Sequence, residues 1–265
     1  MGLSPLLAGY DNVLLDLDGC VWVGGACTRE APEAVSALRS AGKSLAFVTN
    51  DASRSPEDYV RKLWSLGLRA SLEEVVTVGA AIQYALAQHP PTGVYVIGSP
   101  AILRHVSEAG HRIVNGTVGE HQAEIVVVAA HEDFGYRDLR AATQAVLAGA
   151  EILAAGRDRT FPAEDGPWPG SGAVLAAIEY ATGRTGRVLG KPDPEIFRTA
   201  LDRLGTGRTL VVGDRLDSDL AGASAAGLDA AIVLTGVTSS EDAQAAADPA
   251  PVAVARDLHE LVVSG

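Results

Sequence analysis

Two short acidic motifs dominate the chemistry legible in this chain. Asp16-Leu17-Asp18-Gly19 closes an apolar run that starts at Asn12, and Asp214-Arg215-Leu216-Asp217-Ser218-Asp219 follows the apolar run Thr209–Gly213. Residues i and i+2 of an extended segment point to the same side, so Asp16 and Asp18 can look into one pocket. Like charges held together repel unless a proton or a cation joins them. A DxDG tetrapeptide alone also occurs as an acidic turn, so the second motif carries the argument. If both runs are strands of one parallel sheet, their C-terminal ends share an edge, where such sheets bind ligands. Asp16, Asp18, Asp214 and Asp219 then converge although most of the chain lies between the two motifs. Oxygen donors without His or Cys call for a hard cation and point to Mg²⁺. The acids at 214, 217 and 219 do not fit the EF-hand template.

Two further elements suit an anionic ligand beside such a metal. Thr49-Asn50, after a second apolar run, offers a hydroxyl and an amide to anion oxygens. Lys191, in Gly190-Lys191-Pro192, offers a cation just ahead of a helix start, where negative charge is favoured. It is not a P-loop lysine, since the upstream glycine and the following Ser or Thr are missing. Together with the carboxylates, Thr49, Asn50 and Lys191 compose a phosphate site next to a metal.

The elements that must position these residues alternate strand and helix. In the first third, Asn12–Leu17 and Ser44–Thr49 read as buried strands. Residues 31–41 carry Ala34, Val35, Leu38 and Ala41 at helical spacing. A second helix starts at Ser55-Pro56, with acids at 57 and 58, and stops at Gly67. The last third repeats the pattern: a helix opened by Asp193-Pro194 and closed by Gly205, the strand Thr209–Gly213, an Ala-rich helix ending at Gly227 and the strand Ala230–Leu234. Such alternation means a parallel sheet with helices on both faces. The middle breaks at His89–Gly93 and again at Thr182–Gly186. Between them a new strand–helix pattern runs through Val94–Ile97 and Ile125–Ala129, with Gly and Pro thickening over Pro162–Gly172. The expected organisation is therefore an α/β doubly wound parallel-sheet core, residues 1–90 and 185–265, with a smaller inserted α/β cap domain, residues 91–184.

Composition narrows the classes further. The 265 residues amount to one large domain or two moderate ones at roughly 150 residues per domain. With 47% apolar and 20% charged residues, a sizeable core is within reach. The 33 acids exceed the 21 bases, giving a net charge of −12 that excludes a nucleic-acid partner, because phosphate-backbone binding needs clustered Lys and Arg. No apolar run approaches the 18 or so residues of a membrane span, so no membrane association is expected. The start of the chain does not read as a signal peptide, and Leu6 stands where myristoylation wants Ser or Thr. Cys20 and Cys27 make no disulfide framework, and a cytoplasmic protein with reduced thiols is expected.

Taken in order, DLDG, the strand ending in FVTN, GKP and GDRLDSD resemble the four motifs of the haloacid dehalogenase phosphatase superfamily. An insert between the Thr49 and Lys191 motifs, and the run Gly166–Gly172 followed by AAIEYATGR, are similar to the capped NagD-like and p-nitrophenyl-phosphatase-like (type IIA) branch. The resemblance spans essentially the whole chain. It implies Asp16 as the nucleophile and Asp18 as the acid/base. It implies Mg²⁺ on Asp16, Asp214 and the Asp18 backbone carbonyl with Asp219 in support, and phosphoryl oxygens on Thr49, Asn50 and Lys191. The activity implied is hydrolysis of a small phosphorylated metabolite, such as glycerol 3-phosphate, 2-phosphoglycolate or p-nitrophenyl phosphate, through an aspartyl-phosphate. A nucleoside monophosphate is the alternative substrate, and a phosphomutase the competing enzyme. A homodimer through the cap is also implied.

Some positions depart from the resembled pattern. Cys20 stands where Thr is commoner, a swap of similar size. In the cap, Gly-x-Asp-x-x-Phe becomes Ala129–Phe134 with His131 in place of the acid, and Ala-Thr-Asn-x-Asp becomes Ala154-Ala155-Gly156-Arg157-Asp158. These changes bear on the substrate and leave the chemistry intact. His89, His105, His111, His121 and His259 show no metal spacing and read as structural. A receiver-like regulatory domain would also combine acids, Thr and Lys, but it has neither the paired DxD nor an insert.

Overall fold

The computed structural model describes residues 2–129, 131–163 and 166–264. Ala130 of the Ala129–Phe134 stretch, and residues 164 and 165 of the Pro162–Gly172 stretch, lie outside the described residues. The chain divides into two compact units, one formed by residues 1–49, 56–76 and 191–265 and the other by 50–55 and 77–190.

The first unit is built on a six-stranded sheet in the order Ala253–Ala255, Asp229–Val233, Thr209–Gly213, Asn12–Asp16, Ser44–Thr49, Val75–Thr77. From the Ala253–Ala255 edge to Ser44–Thr49 every pairing is parallel. The central strands Asn12–Asp16 and Thr209–Gly213 are buried at every position, which explains why they read as continuous apolar runs rather than alternating ones. From Asn12–Asp16 the chain winds outward one way through 44–49 and 75–77, and on its return it winds the other way through 229–233 and 253–255. The order therefore reverses between Asn12–Asp16 and Thr209–Gly213, the switch point at which open α/β sheets leave a crevice beyond their carboxyl ends.

The helices that flank these strands follow local signals. Helix Ala31–Ser40 buries Ala31, Ala34, Val35 and Leu38 on one stripe. Helix Pro56–Ser65 carries Glu57 and Asp58 in its first turn, where the helix dipole favours acids. Ahead of helix Glu195–Leu204, Asp193 accepts from the Glu195 amide (2.9 Å), and Gly205 ends that helix at φ +81°. After Gly213 the backbone first makes a π-helical turn, Leu216–Leu220, and then the short helix Ala221–Ala225. The alanine composition foretold the helix but not the turn, which swings Asp219 back toward Lys191.

The second unit has its own five-stranded parallel sheet, ordered Arg187–Val188, Glu151–Ala154, Ile125–Val128, Gly93–Ile97, Arg112–Ile113. It also has its own core, centred on Tyr95, Ile97, Val126, Val128, Leu175 and Ile178. Its limits are wider than 91–184. Helix Val78–Leu86 belongs to it, since Gln83 bonds His105 (2.7 Å) and the Leu86 carbonyl bonds His111 (2.9 Å). At the other end Arg187–Val188 adds a strand to its sheet. The Pro90-Pro91 and Thr182–Gly186 punctuation thus marks loops within the unit and not its borders. No helix among the described residues is long and apolar enough to cross a membrane.

Candidate active site

At the switch point the two acidic motifs meet. Asp16 ends its strand, and Asp214 follows Gly213 on the neighbouring one. The π-helical turn returns Asp219, and carboxylate oxygens of all three lie within 4.8 Å of one another. All three are buried, as is Lys191. The Lys191 ammonium bonds Asp16 and donates to Asp219 at 2.7 Å, while the second oxygen of Asp219 accepts from the Arg215 amide at 3.1 Å. Thr49, 3% exposed, ends the next strand, one residue beyond the Val48 that pairs with Asp16.

Three carboxylates against one ammonium leave this pocket short of positive charge. Burial, together with Asp219 and Asp214, pushes the Asp16 carboxyl well up from its ordinary range against the pull of Lys191. Burial also raises Asp214, although the Val237 amide opposes it. Burial disfavours the charge on Lys191, but Asp16 and Asp219 outweigh it and hold the ammonium protonated far into the basic range. The carboxylate shifts are the mark of acids gathered without enough counter-charge.

A divalent cation fits this deficit. One oxygen of Asp214, Oδ1, is buried with no hydrogen-bond partner, a costly state for a carboxylate unless a cation takes it. Its other oxygen accepts from the Val237 amide at 2.6 Å, which fixes the plane of the group. Two glycines leave room around it. A Cβ at Gly19, whose φ is +92°, would fall 2.4 Å from Asp214 Cγ, and one at Gly236 would fall 1.9 Å from Asp214 Oδ2. The donors are all hard oxygens, the set that suits Mg²⁺ or Ca²⁺.

The remaining expected site residues are distributed differently. The carboxylate of Asp18 does not complete a group of four, because its Oδ1 accepts from the Trp22 indole N–H at 2.7 Å. A tight turn causes this: the Gly19 amide donates to the Trp22 carbonyl (2.7 Å), which brings residue 22 back beside residue 18. Asn50 is counted in the second unit, where a Cβ on Gly190 would fall 2.7 Å from its Oδ1. Asp217 is exposed and paired with Arg215 (2.9 Å). Arg157 is engaged by Glu179 through two bonds of 2.9 and 3.0 Å and by the Gly186 carbonyl at 3.3 Å. Among the histidines, His105 and His111 are buried on neutral partners, and His259 lies 3.1 Å from Glu30. No histidine joins a metal-ligating group among the described residues.

Two features escaped the reading by motif. One is Trp22, four residues beyond Asp18. The other is the loop after strand Asp229–Val233, in which Thr235 Oγ1 donates to the Gly19 carbonyl (2.5 Å) and Val237 to Asp214. The signal available for the loop was its place at the end of a strand on the same sheet edge.

A doubly wound sheet whose switch point gathers three buried carboxylates, one lysine and room for a divalent cation defines an α/β protein with a site suited to a metal and an anionic ligand. Residues 13–112 match the family described as haloacid dehalogenase-like hydrolase, and residues 188–261 match a HAD-hydrolase-like family. The chain is 40% identical over 263 residues to the D-glycerol 3-phosphate phosphatase of Mycobacterium tuberculosis, covering 98% of this chain and 73% of that protein. It is 33% identical to the acid sugar phosphatase of Staphylococcus aureus, over 96% of this chain and 97% of the other. The crystal structure of the mycobacterial glycerol phosphate phosphatase in complex with magnesium superposes with a TM-score of 0.90 at 39% identity, covering 98% of this chain and 78% of that one. The chain belongs to the haloacid dehalogenase-like hydrolase family, in its NagD-like, p-nitrophenyl-phosphatase-like branch.

Proposed function

We propose that this chain hydrolyses a small organic phosphomonoester of the glycerol 3-phosphate, 2-phosphoglycolate or p-nitrophenyl phosphate type, with Mg²⁺ and through an aspartyl-phosphate on Asp16. Its family and the phosphatases it aligns with over nearly all of its own length make it a phosphatase. The observation that carries the reading is the buried set Asp16, Asp214, Asp219 and Lys191 at the switch point, with Asp214 Oδ1 unpartnered. A cytoplasmic location belongs to the same reading and suits the two free cysteines.

In this reading Asp16, Asp214 and the Asp18 backbone carbonyl hold Mg²⁺, with Asp219 in support. Bound there, the ion supplies positive charge against the phosphoryl oxygens and the Asp16 carboxylate. Asp16 attacks phosphorus, and the leaving oxygen departs with a proton from Asp18. Asp18 then takes a proton from the water that attacks the aspartyl-phosphate, which frees Asp16 and releases inorganic phosphate. Lys191 and Thr49 offer cation and hydroxyl to the phosphoryl oxygens, and Asn50 adds an amide. Asp219 orients Lys191 through its 2.7 Å bond. The division suits a reaction whose acceleration by enzymes reaches ~10²¹-fold, because its transition state rewards positioning and charge neutralisation.

The test is phosphate release from a panel of glycerol 3-phosphate, 2-phosphoglycolate, p-nitrophenyl phosphate, sugar phosphates and nucleoside monophosphates, with Mg²⁺ and with EDTA. Release that depends on Mg²⁺ and disappears in Asp16→Asn supports the reading. Normal hydrolysis by the Asn variant overturns the nucleophile, and activity indifferent to EDTA overturns the metal. A preference for nucleoside monophosphates moves the substrate class, and isomer formation without phosphate release makes the protein a mutase.

A further inference from the structure

Trp22 has no part in the motifs, yet the structure gives it a defined chemical position. Its ring is fully buried, and its indole N–H donates to Asp18 Oδ1 at 2.7 Å. The backbone leaves the ring little choice of direction. The Trp22 amide donates to the Leu17 carbonyl (3.1 Å), its carbonyl accepts from Gly19, and Thr28 Oγ1 ties the carbonyls of Cys20 (2.8 Å) and Val21 (3.2 Å). Residues Trp22–Val23 then pair with Ala26–Cys27 as a short antiparallel hairpin.

Two side chains of helix Pro56–Ser65 also pack on the ring. Lys62 Nζ lies 3.8 Å from the ring centroid and reaches the Gly24 carbonyl at 3.4 Å, so that helix Pro56–Ser65 is joined to the hairpin. Tyr59, one turn earlier on that helix, stacks with the indole at 6.4 Å between centroids and 3° between planes. A cation over an indole is attracted by the electron-rich face. By drawing electron density toward itself it also makes the N–H a better donor, and a donor to a carboxylate forms the stronger class of hydrogen bond. The chain thus holds one oxygen of Asp18 from a rigid, buried and polarised donor.

We propose that Trp22, backed by Lys62 and Tyr59, is the positioning residue of the acid/base Asp18: it holds Oδ1 as an acceptor and so reserves Oδ2 for the proton. This rests on the phosphatase reading above. In the first step the proton on Oδ2 passes to the leaving oxygen as its bond to phosphorus breaks and the bond from Asp16 forms. In the second, Oδ2 receives a proton from water as the water oxygen bonds phosphorus and Asp16 is released. Oδ1 remains on the indole throughout, so the carboxyl does not have to rotate between its two duties.

The experiment compares kcat/KM for glycerol 3-phosphate and p-nitrophenyl phosphate in wild type, Trp22→Phe, Lys62→Met and Asp18→Asn. An alkoxide leaving group needs the proton, whereas p-nitrophenolate leaves without one, and kcat/KM does not include the later attack of water. Trp22→Phe should lower kcat/KM for glycerol 3-phosphate about 10-fold, the worth of one hydrogen bond to a charged group, and that for p-nitrophenyl phosphate less than about 2-fold. Lys62→Met should show the same split at about 2-fold, and it decides the matter if Trp22→Phe does not fold by circular dichroism. Equal losses on both substrates, or no loss, would overturn the proposal, because a ring that merely packs cannot distinguish leaving groups. Asp18→Asn is the reference. If it too treats both substrates alike, the acid/base reading of Asp18 fails. If it splits them while the Trp22 and Lys62 variants do not, only the positioning role fails.

Discussion

Strand Asn12–Asp16 in the first unit and strand Ile125–Val128 in the second are buried along their whole length, and each sits among parallel neighbours. The first ends on a carboxylate beside Asp214 and Thr49. The second ends at Val128 and runs on into Ala129, and its neighbours run on into Gly98 and Ala155. Several buried polar groups in the second unit bond partners within that unit, as in Ser99 donating to the Ala52 carbonyl (2.7 Å) and Tyr95 donating to Asp138 (2.9 Å). Those in the first unit include an ion cluster with more negative charge than positive. Two sheets of one architecture therefore differ in function because of what stands at their carboxyl ends, and the fold alone does not tell them apart.

Substitutions that treat the two sheets as equivalent should break this contrast if it is wrong. The largest effect is expected from Asp16→Asn, which removes the proposed nucleophile: a loss of phosphate release on the order of 10⁴-fold or more. Gly236→Ala comes next. Its Cβ would fall 1.9 Å from Asp214 Oδ2, and displacing this proposed metal ligand should weaken Mg²⁺ binding about 10- to 100-fold by calorimetric titration. A matching change in the second unit, Gly186→Ala, would press Ile152 (2.8 Å) and Leu175 (2.9 Å) and should cost about 1–3 kcal/mol in urea unfolding with Mg²⁺ affinity unchanged. Tyr95→Phe removes one neutral donor and should cost about 1 kcal/mol, seen as a lower Tm, with kcat retained.

The smallest effect concerns pH. Hydrogen bonding to Arg157 holds the Glu179 carboxyl below its ordinary range. A lowered folded value means that the pair's contribution is complete above the unfolded value, about 4.3, and fades as pH falls through the folded one. The stability gap between wild type and Glu179→Gln should accordingly stay level near neutrality and close only below about pH 4.3. A gap that widens with acid would reverse the assignment.

Much of this was legible from residue order. Strands Ser44–Thr49 and Thr209–Gly213 lie where their apolar runs place them, because a strand buried on both faces must be apolar throughout. Asp16, Asp214, Asp219 and Lys191 were readable as one group because parallel strands bring their C-terminal ends to one edge. Domain borders were less legible. Gly and Pro clusters mark turns of any kind, whereas helix Val78–Leu86 and strand Arg187–Val188 join the second unit through side-chain packing and sheet pairing that no local composition records.

By itself, then, the order of residues determined the class of fold, the four ordered motifs and the acids and lysine that would do chemistry, since strand periodicity and the one-edge rule act on sequence directly. Tertiary structure alone decided that three carboxylates rather than four share the pocket, that Asp18 is turned to Trp22, and that a loop from residues 235–238 braces Gly19 and Asp214. The reason is physical. Which strand ends meet follows from topology, but which way a carboxylate points is set by the donors around it, and these come from segments as distant along the chain as Trp22, which donates to Asp18, and Val237, which donates to Asp214.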